Sequence, residues 1–153
     1  MRTPPALLTL VLCLSSPPAA LGGPADNVQL ARRVFLECLA QDRCEPLVDH
    51  YAPGFVAHGA SAAYTLEQDT AATRSWRTAM PDLKVAVERT VADRDMVAVH
   101  WKAVGTNTVA RGELPGKGDR IGIEGMTFFR FAAGRIAEEW SVLDIATLRK
   151  DLH

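Results

Sequence analysis

The sequence predicts an α+β fold, with helices from its first half packed on one face of an antiparallel sheet made by its second half. Residues 26–80 hold three segments with apolar residues at helical spacing. Residues 83–144 hold four long segments in which apolar and polar residues alternate. Between those four lie turn signals: Asp93-Arg94-Asp95, a loop with Gly112, Pro115, Gly116 and Gly118, and Ala132-Ala133-Gly134. Helices that precede a run of hairpin-linked strands pack on one side of the sheet.

Arg2 is the only charge before Asp26. Ala6–Leu14 is an apolar run and Ser15–Gly22 is small and Pro-rich, the layout of a secretory signal peptide with cleavage after Gly22. The domain then runs from 23 to 153. Its first helix is expected from an Asp26 cap to about Ala40, with Leu30, Val34 and Cys38, and Ala31, Phe35 and Leu39, on one face. Glu45-Pro46 opens a second short helix, ending before Pro53, and Gly54–His58 is extended. Thr65 and Gln68 match a capping box, so a third helix runs to about Met80 with Leu66, Thr73, Trp76 and Met80 on one side. The strands follow: Leu83–Ala92 with Val85, Val87 and Val91 on one face; Met96–Thr106 with Val97, Val99, Trp101 and Ala103 opposite His100 and Lys102; Ile121–Phe131; and a last strand after Gly134. A short helix, Ala146–Leu152, is expected to close the chain.

A length of 153 residues suits one domain, and a net charge of −1, or −2 once Arg2 leaves with the leader, gives no footprint for nucleic acid or a charged membrane surface. Export would leave two cysteines, Cys38 and Cys44. An even count in an oxidising compartment favours a disulfide over two reduced thiols. No phosphate loop, nucleotide fingerprint, His-x-x-x-His pair or Ser-His-Asp order is present.

Several pieces in order resemble the SnoaL-like polyketide cyclases (ester cyclases) of the nuclear-transport-factor-2-like superfamily. They are Tyr51-Ala-Pro-Gly-Phe-Val-Ala-His58-Gly, Met80-Pro-Asp-Leu83, Asp95-Met-Val-Ala-Val-His-Trp101 with Gly105-Thr106, Gly125-Met-Thr-Phe-Phe-Arg-Phe131, Gly134-Arg-Ile136, and Glu139-Trp140 through Asp144. The resemblance spans about residues 26–152. It implies a cone-shaped barrel, a curved sheet wrapped around the N-terminal helices to leave one deep apolar pocket. It also implies a dimer that packs sheet against sheet and an intramolecular aldol condensation run by an acidic residue without metal or cofactor. Asn107 and Glu139 stand where the family often has His, and the loop 112–118 departs from its usual form.

The last strand points Glu138, Trp140, Val142 and Asp144 to one face, and a carboxylate beside an indole and a valine is expected to be poorly solvated. Asp144 also matches the family's acidic position, which makes it the first candidate for proton transfer beside a carbonyl, with capping of the closing helix as the plainer role. His58, at the family's His position, is the second candidate, a possible partner of Asp144. Tyr51, Phe55, Trp76, Trp101 and Trp140 are candidates to line the pocket, Tyr51 as a donor to a substrate oxygen; core packing is the alternative for the aromatics. The expected ligand is a small apolar carbonyl compound. Glu138 and Glu139, being adjacent, cannot share one pocket. His100 and Lys102 are placed on the outer face, where a second copy would dock. The rival to catalysis is an exported protein that only binds an apolar ligand, or a dimerisation domain whose pocket the tryptophans fill.

Overall fold

The structure, a computed structural model, describes residues 23–59 and 62–147. The expected leader, residues 1–22, and most of the expected closing helix lie outside them. Six strands form one mixed sheet in the order β2-β1-β6-β5-β4-β3. They are β1 (Tyr51–His58), β2 (Ala63–Tyr64), β3 (Lys84–Asp93), β4 (Met96–Asn107), β5 (Asp119–Ala132) and β6 (Arg135–Thr147). All neighbours are antiparallel except β1 and β6, which run parallel. β1 therefore lies beside the last strand, β6, and the helix that follows β2 carries the chain across to β3 at the opposite edge.

Two helices, α1 (Pro24–Arg33) and α2 (Leu66–Ala79), lie against one face of this sheet. α1 continues into a π-helical turn, Val34–Leu39, and a 3-10 helix covers Glu45–His50. The start of α1 differs from expectation. Gly23 is the capping residue, and Asp26, inside the first turn, accepts a hydrogen bond from the Gly23 amide at 3.0 Å. At α2 the expected box is present: Thr65 Oγ1 accepts from the Gln68 amide, and the Gln68 side chain accepts from the Thr65 amide at 3.0 Å.

The core lies between the helices and the inner sheet face. Phe35 stacks near the Trp101 indole, with centroids 5.1 Å apart, and meets Phe129 edge-on. Val97, Val99, Ile121, Phe129 and Ile136 are almost fully buried beneath them. Gly125 faces Trp101 across the β4–β5 pair, and a Cβ there would come within 2.5 Å of the indole. Only glycine lets the ring lie flat on β5.

Three expectations are corrected here. Ala146 and Thr147 continue strand β6, so no helix starts at Ala146, and Asp144 sits mid-strand opposite Glu124 rather than at a helix cap. The other two corrections have one cause, the β-bulge, whose extra residue reverses which way all later side chains point. In β3 the register slips at Glu88, so Val91 does not join Val85 and Val87 but pairs with outward-facing Ala98 and is 69% exposed. In β6 the register slips at Ala137, between the Phe131–Ile136 and Arg130–Glu138 pairs. Counting by twos from inward Ile136 would send Glu138, Trp140, Val142 and Asp144 inside. The bulge sends them outside and turns Glu139, Ser141, Leu143 and Ile145 inward.

Candidate functional site

Between α2, the π turn and the inner face of β6 lies a cavity of about 300 Å³. Its walls include Phe35, Trp76, Trp101, Leu143 and Ile145, and its polar residues are Asp69, Thr73, Arg111, Glu139 and Ser141. Asp69 reaches it because α2 repeats every 3.6 residues: Asp69, Thr73, Trp76 and Met80 form one stripe. Glu139 reaches it through the β6 bulge.

A hydrogen-bonded chain crosses three strands to Glu139. Trp101 Nε1 donates to Thr127 Oγ1 at 3.1 Å. Thr127 Oγ1 and Ser141 Oγ are 2.8 Å apart, and Ser141 Oγ donates to Glu139 Oε1 at 2.9 Å. With the Ser141 proton used on Glu139, Thr127 donates to Ser141, so every proton in the chain points toward the carboxyl. The other oxygen, Oε2, is inaccessible to solvent and has no hydrogen-bond partner among the described residues. A buried carboxyl oxygen left unpaired is costly when charged.

The electrostatics follow. Burial pushes the Glu139 carboxyl up to about 8, the nearby Asp69 charge adds to the rise, and the Ser141 hydroxyl opposes it. Burial also raises Asp69, to about 6. Two acids in one cavity resist ionising together, so the pair holds a proton to higher pH than free carboxyls do. Tyr51 stays a neutral donor: burial first, then the charges of Glu139 and Asp69, raise its phenol well above the usual value.

At the mouth, the Arg111 guanidinium carbon lies 3.4 Å from the centre of the Trp76 ring. Arg111 Nε donates to Ser75 Oγ at 2.8 Å and its Nη2 to the Ala72 carbonyl at 3.3 Å. The loop that presents it is fixed by buried Asn107, whose amide donates to the Val109 carbonyl and whose oxygen accepts from the Gly116 amide, each at 2.7 Å. Asn107 thus serves as a staple for this loop.

The structure divides the residues singled out from the sequence between two faces. Trp76 and Trp101 line the cavity. Tyr51 and Phe55 pack edge-to-face, 4.8 Å apart, and also border a separate surface recess beside α2. Trp140 is on the outer face, where His58 stacks on it at 4.5 Å. His58 Nε2 donates to Glu138 Oε2 at 2.8 Å, and Arg130 Nε donates to Glu138 Oε1 at the same distance, holding that carboxyl below its usual range. His58 pairs in register with Trp140, four residues before Asp144, so about 13 Å of strand separates the two candidates. Asp144 is exposed and borders a recess of about 460 Å³ on the outer face, near Lys84, Lys102 and Glu124. His100 lies on that face too, where Nε2 donates to Glu124 Oε1 at 2.6 Å. The sulfurs of Cys38 and Cys44 are joined as a disulfide with Cα atoms 4.3 Å apart.

Sequence reasoning passed over Asp69, Arg111 and Ser141. For Asp69 there was a signal, an acid in the apolar stripe of α2. For Glu139 the signal was its place at a position the family gives to His. Nothing in the sequence marked Arg111. Among the described residues no group of three His, Cys, Asp or Glu side chains could hold a metal, and no helix is long and apolar enough to cross a membrane.

The family model for SnoaL-like polyketide cyclase matches residues 29–152. No curated protein sequence matches. Among solved structures, a protein from Jannaschia sp. CCS1 classed as a SnoaL-like polyketide cyclase superposes with a TM-score of 0.72 at 22% identity, covering 85% of this chain and 92% of its own. IdmH of Streptomyces antibioticus, classed as a polyketide cyclase, gives 0.65 at 22% identity, covering 80% and 93%. AclR of Streptomyces galilaeus, classed as a hydroxylase, gives 0.71 at 19% identity, covering 80% and 81%. The fold is thus common to proteins assigned different chemistry, and the cavity must decide among reactions.

Proposed function

The chain belongs to the SnoaL-like polyketide cyclase family, and we propose from this that it moves protons at a carbon beside a carbonyl in a small apolar, polyketide-like compound. The observation that carries the reading is Glu139 Oε2, buried and unpartnered in a cavity that also holds Asp69. Ionised Asp69 removes the proton from the α-carbon. Protonated Glu139 gives its proton to the carbonyl oxygen as the enol forms. The C–H electron pair becomes the new C=C bond, and one proton has passed from each side. The enol carbon then attacks a second carbonyl of the same molecule to close a ring, the enol hydroxyl returning its proton to Glu139 and protonated Asp69 giving its proton to the new alkoxide. Asp144 and His58 keep the outer-face roles described above.

The test is exchange of the α-protons of 2-tetralone in deuterated buffer, followed by proton NMR. Glu139→Gln and Asp69→Asn are each expected to lose about 100-fold of the enzymic rate, the scale of a removed acid/base group. Asp144→Asn and His58→Gln should stay within about twofold. Full rate in Glu139→Gln with loss in Asp144→Asn would sink this reading and return the chemistry to the outer face. Tight tetralone binding without exchange would favour a protein that only binds.

We further propose that the outer face of the sheet seats a second copy of the chain. The exposed Met126, Phe128 and Val142 support this, and solution mass tests it.

A further inference from the structure

We propose that Arg111 binds an anionic group of the substrate, a carboxylate, so that the cavity prefers an elongated apolar keto acid to a neutral ketone. This rests on the acid/base reading for the far end of the cavity, but the binding claim stands on its own geometry. Arg111 lines the same cavity as Asp69 and Glu139 and is half-buried. Among the described residues it has no carboxylate within ion-pair distance, and its Nη1 donates to nothing. A half-buried cation normally finds a carboxylate. The two acids in the cavity do not fill that role, for neither is drawn down by Arg111.

The guanidinium is also pre-oriented. The Ser75 hydroxyl gives its proton to the Ala72 carbonyl at 2.6 Å and so presents a lone pair to Arg111 Nε. Trp76 fixes the plane from below. What remains is a planar fork with free donors, the geometry that takes a carboxylate with two bonds.

Position sets the length of the ligand. Arg111 contacts Ala72, Ser75 and Trp76, three to seven residues beyond Asp69 on α2, about 5–10 Å along its axis. The same cavity is lined by Leu143 and Ile145, two partly exposed apolar side chains on the inner face of β6. A ligand that reached both ends would carry its acid group about one to two rings away from the carbon that loses a proton.

The experiment compares binding of 2-naphthoate and its uncharged counterpart 2-naphthamide to the purified protein, read from quenching of tryptophan fluorescence. The wild type is expected to bind 2-naphthoate about tenfold tighter. Arg111→Gln should erase that preference, weakening naphthoate about tenfold and leaving naphthamide within about twofold. Arg111→Lys should keep part of the preference, because it keeps the charge but not the fork. Equal affinity of the two probes, no binding of either, or Arg111→Gln weakening both alike would overturn the proposal. Glu139→Gln separates the two readings: it should abolish tetralone exchange yet leave the naphthoate preference intact. Loss of that preference in Glu139→Gln would count against Arg111 as the anion site, and retained exchange would count only against the acid/base reading.

Discussion

At the scale of single residues, Glu139 governs the pH response. Its ordinary carboxyl value is 4.5 and its folded value is about 8. The folded state therefore binds the proton more tightly than the unfolded chain between these limits. The stability linked to this proton is fully present below about pH 4.5 and is lost as pH rises through about 8. Asp69, raised to about 6, acts in the same direction over a narrower window. The melting temperature of the wild type is thus expected to fall from pH 5 to pH 8, and that of Glu139→Gln to fall much less over the same range. Parallel curves for the two proteins in thermal scans would remove Glu139 as the source. The Asp69 signal was readable in sequence as an acid at i−7 from Trp76 and i−4 from Thr73. Arg111 was not, because a loop residue has no periodicity to place it.

At the scale of elements, the bulge in β6 did most to shape the site. Both alternating sets of that strand mix carboxylate and apolar side chains: Glu138, Trp140, Val142, Asp144 against Glu139, Ser141, Leu143, Ile145. Composition could not rank them, and only the pairing with β5 does, since Thr127 and Phe129 face inward beside Ser141 and Glu139. The start of the domain has its own clamp, the Cys38–Cys44 disulfide between the π turn and the 3-10 helix. It closes a short loop, so its contribution is about 2 kcal/mol. Replacing both cysteines with serine is expected to lower unfolding stability by about that amount in urea titrations, with the slope of the transition little changed. An unaltered midpoint would mean that packing alone holds this turn.

At the scale of the whole molecule, the described residues pack helices on one face of the sheet and leave the other bare. Val142 is 70% and Met126 53% exposed, and they are cross-strand partners next to Phe128 and Trp140. Such a contiguous apolar strip invites a partner. The expected solution mass is that of a dimer, and Val142→Asp should shift it toward the monomer in light scattering while leaving tetralone exchange within about twofold. A monomeric wild type at micromolar concentration would end the dimer proposal. Because the cavity opens on the opposite side, association and chemistry are separable in this fold.

The sequence by itself determined the α+β class, the helices and the four long strands in order, the α2 cap and the family, since these depend on local periodicity, capping chemistry and motif order; it did not mark the short β2 or the run of β6 through Ala146. It also held the inward set Val97, Val99, Trp101 and Ala103 of β4, which alternates without a bulge. Only the tertiary structure decided which face of β6 looks into the cavity. It also brought Asp69, Glu139 and Arg111 together from a helix, a strand and a loop, and left His58 and Asp144 apart. The reason is geometric. A single extra residue in a strand inverts every later side chain. It is seen only when the strand is laid against its neighbour.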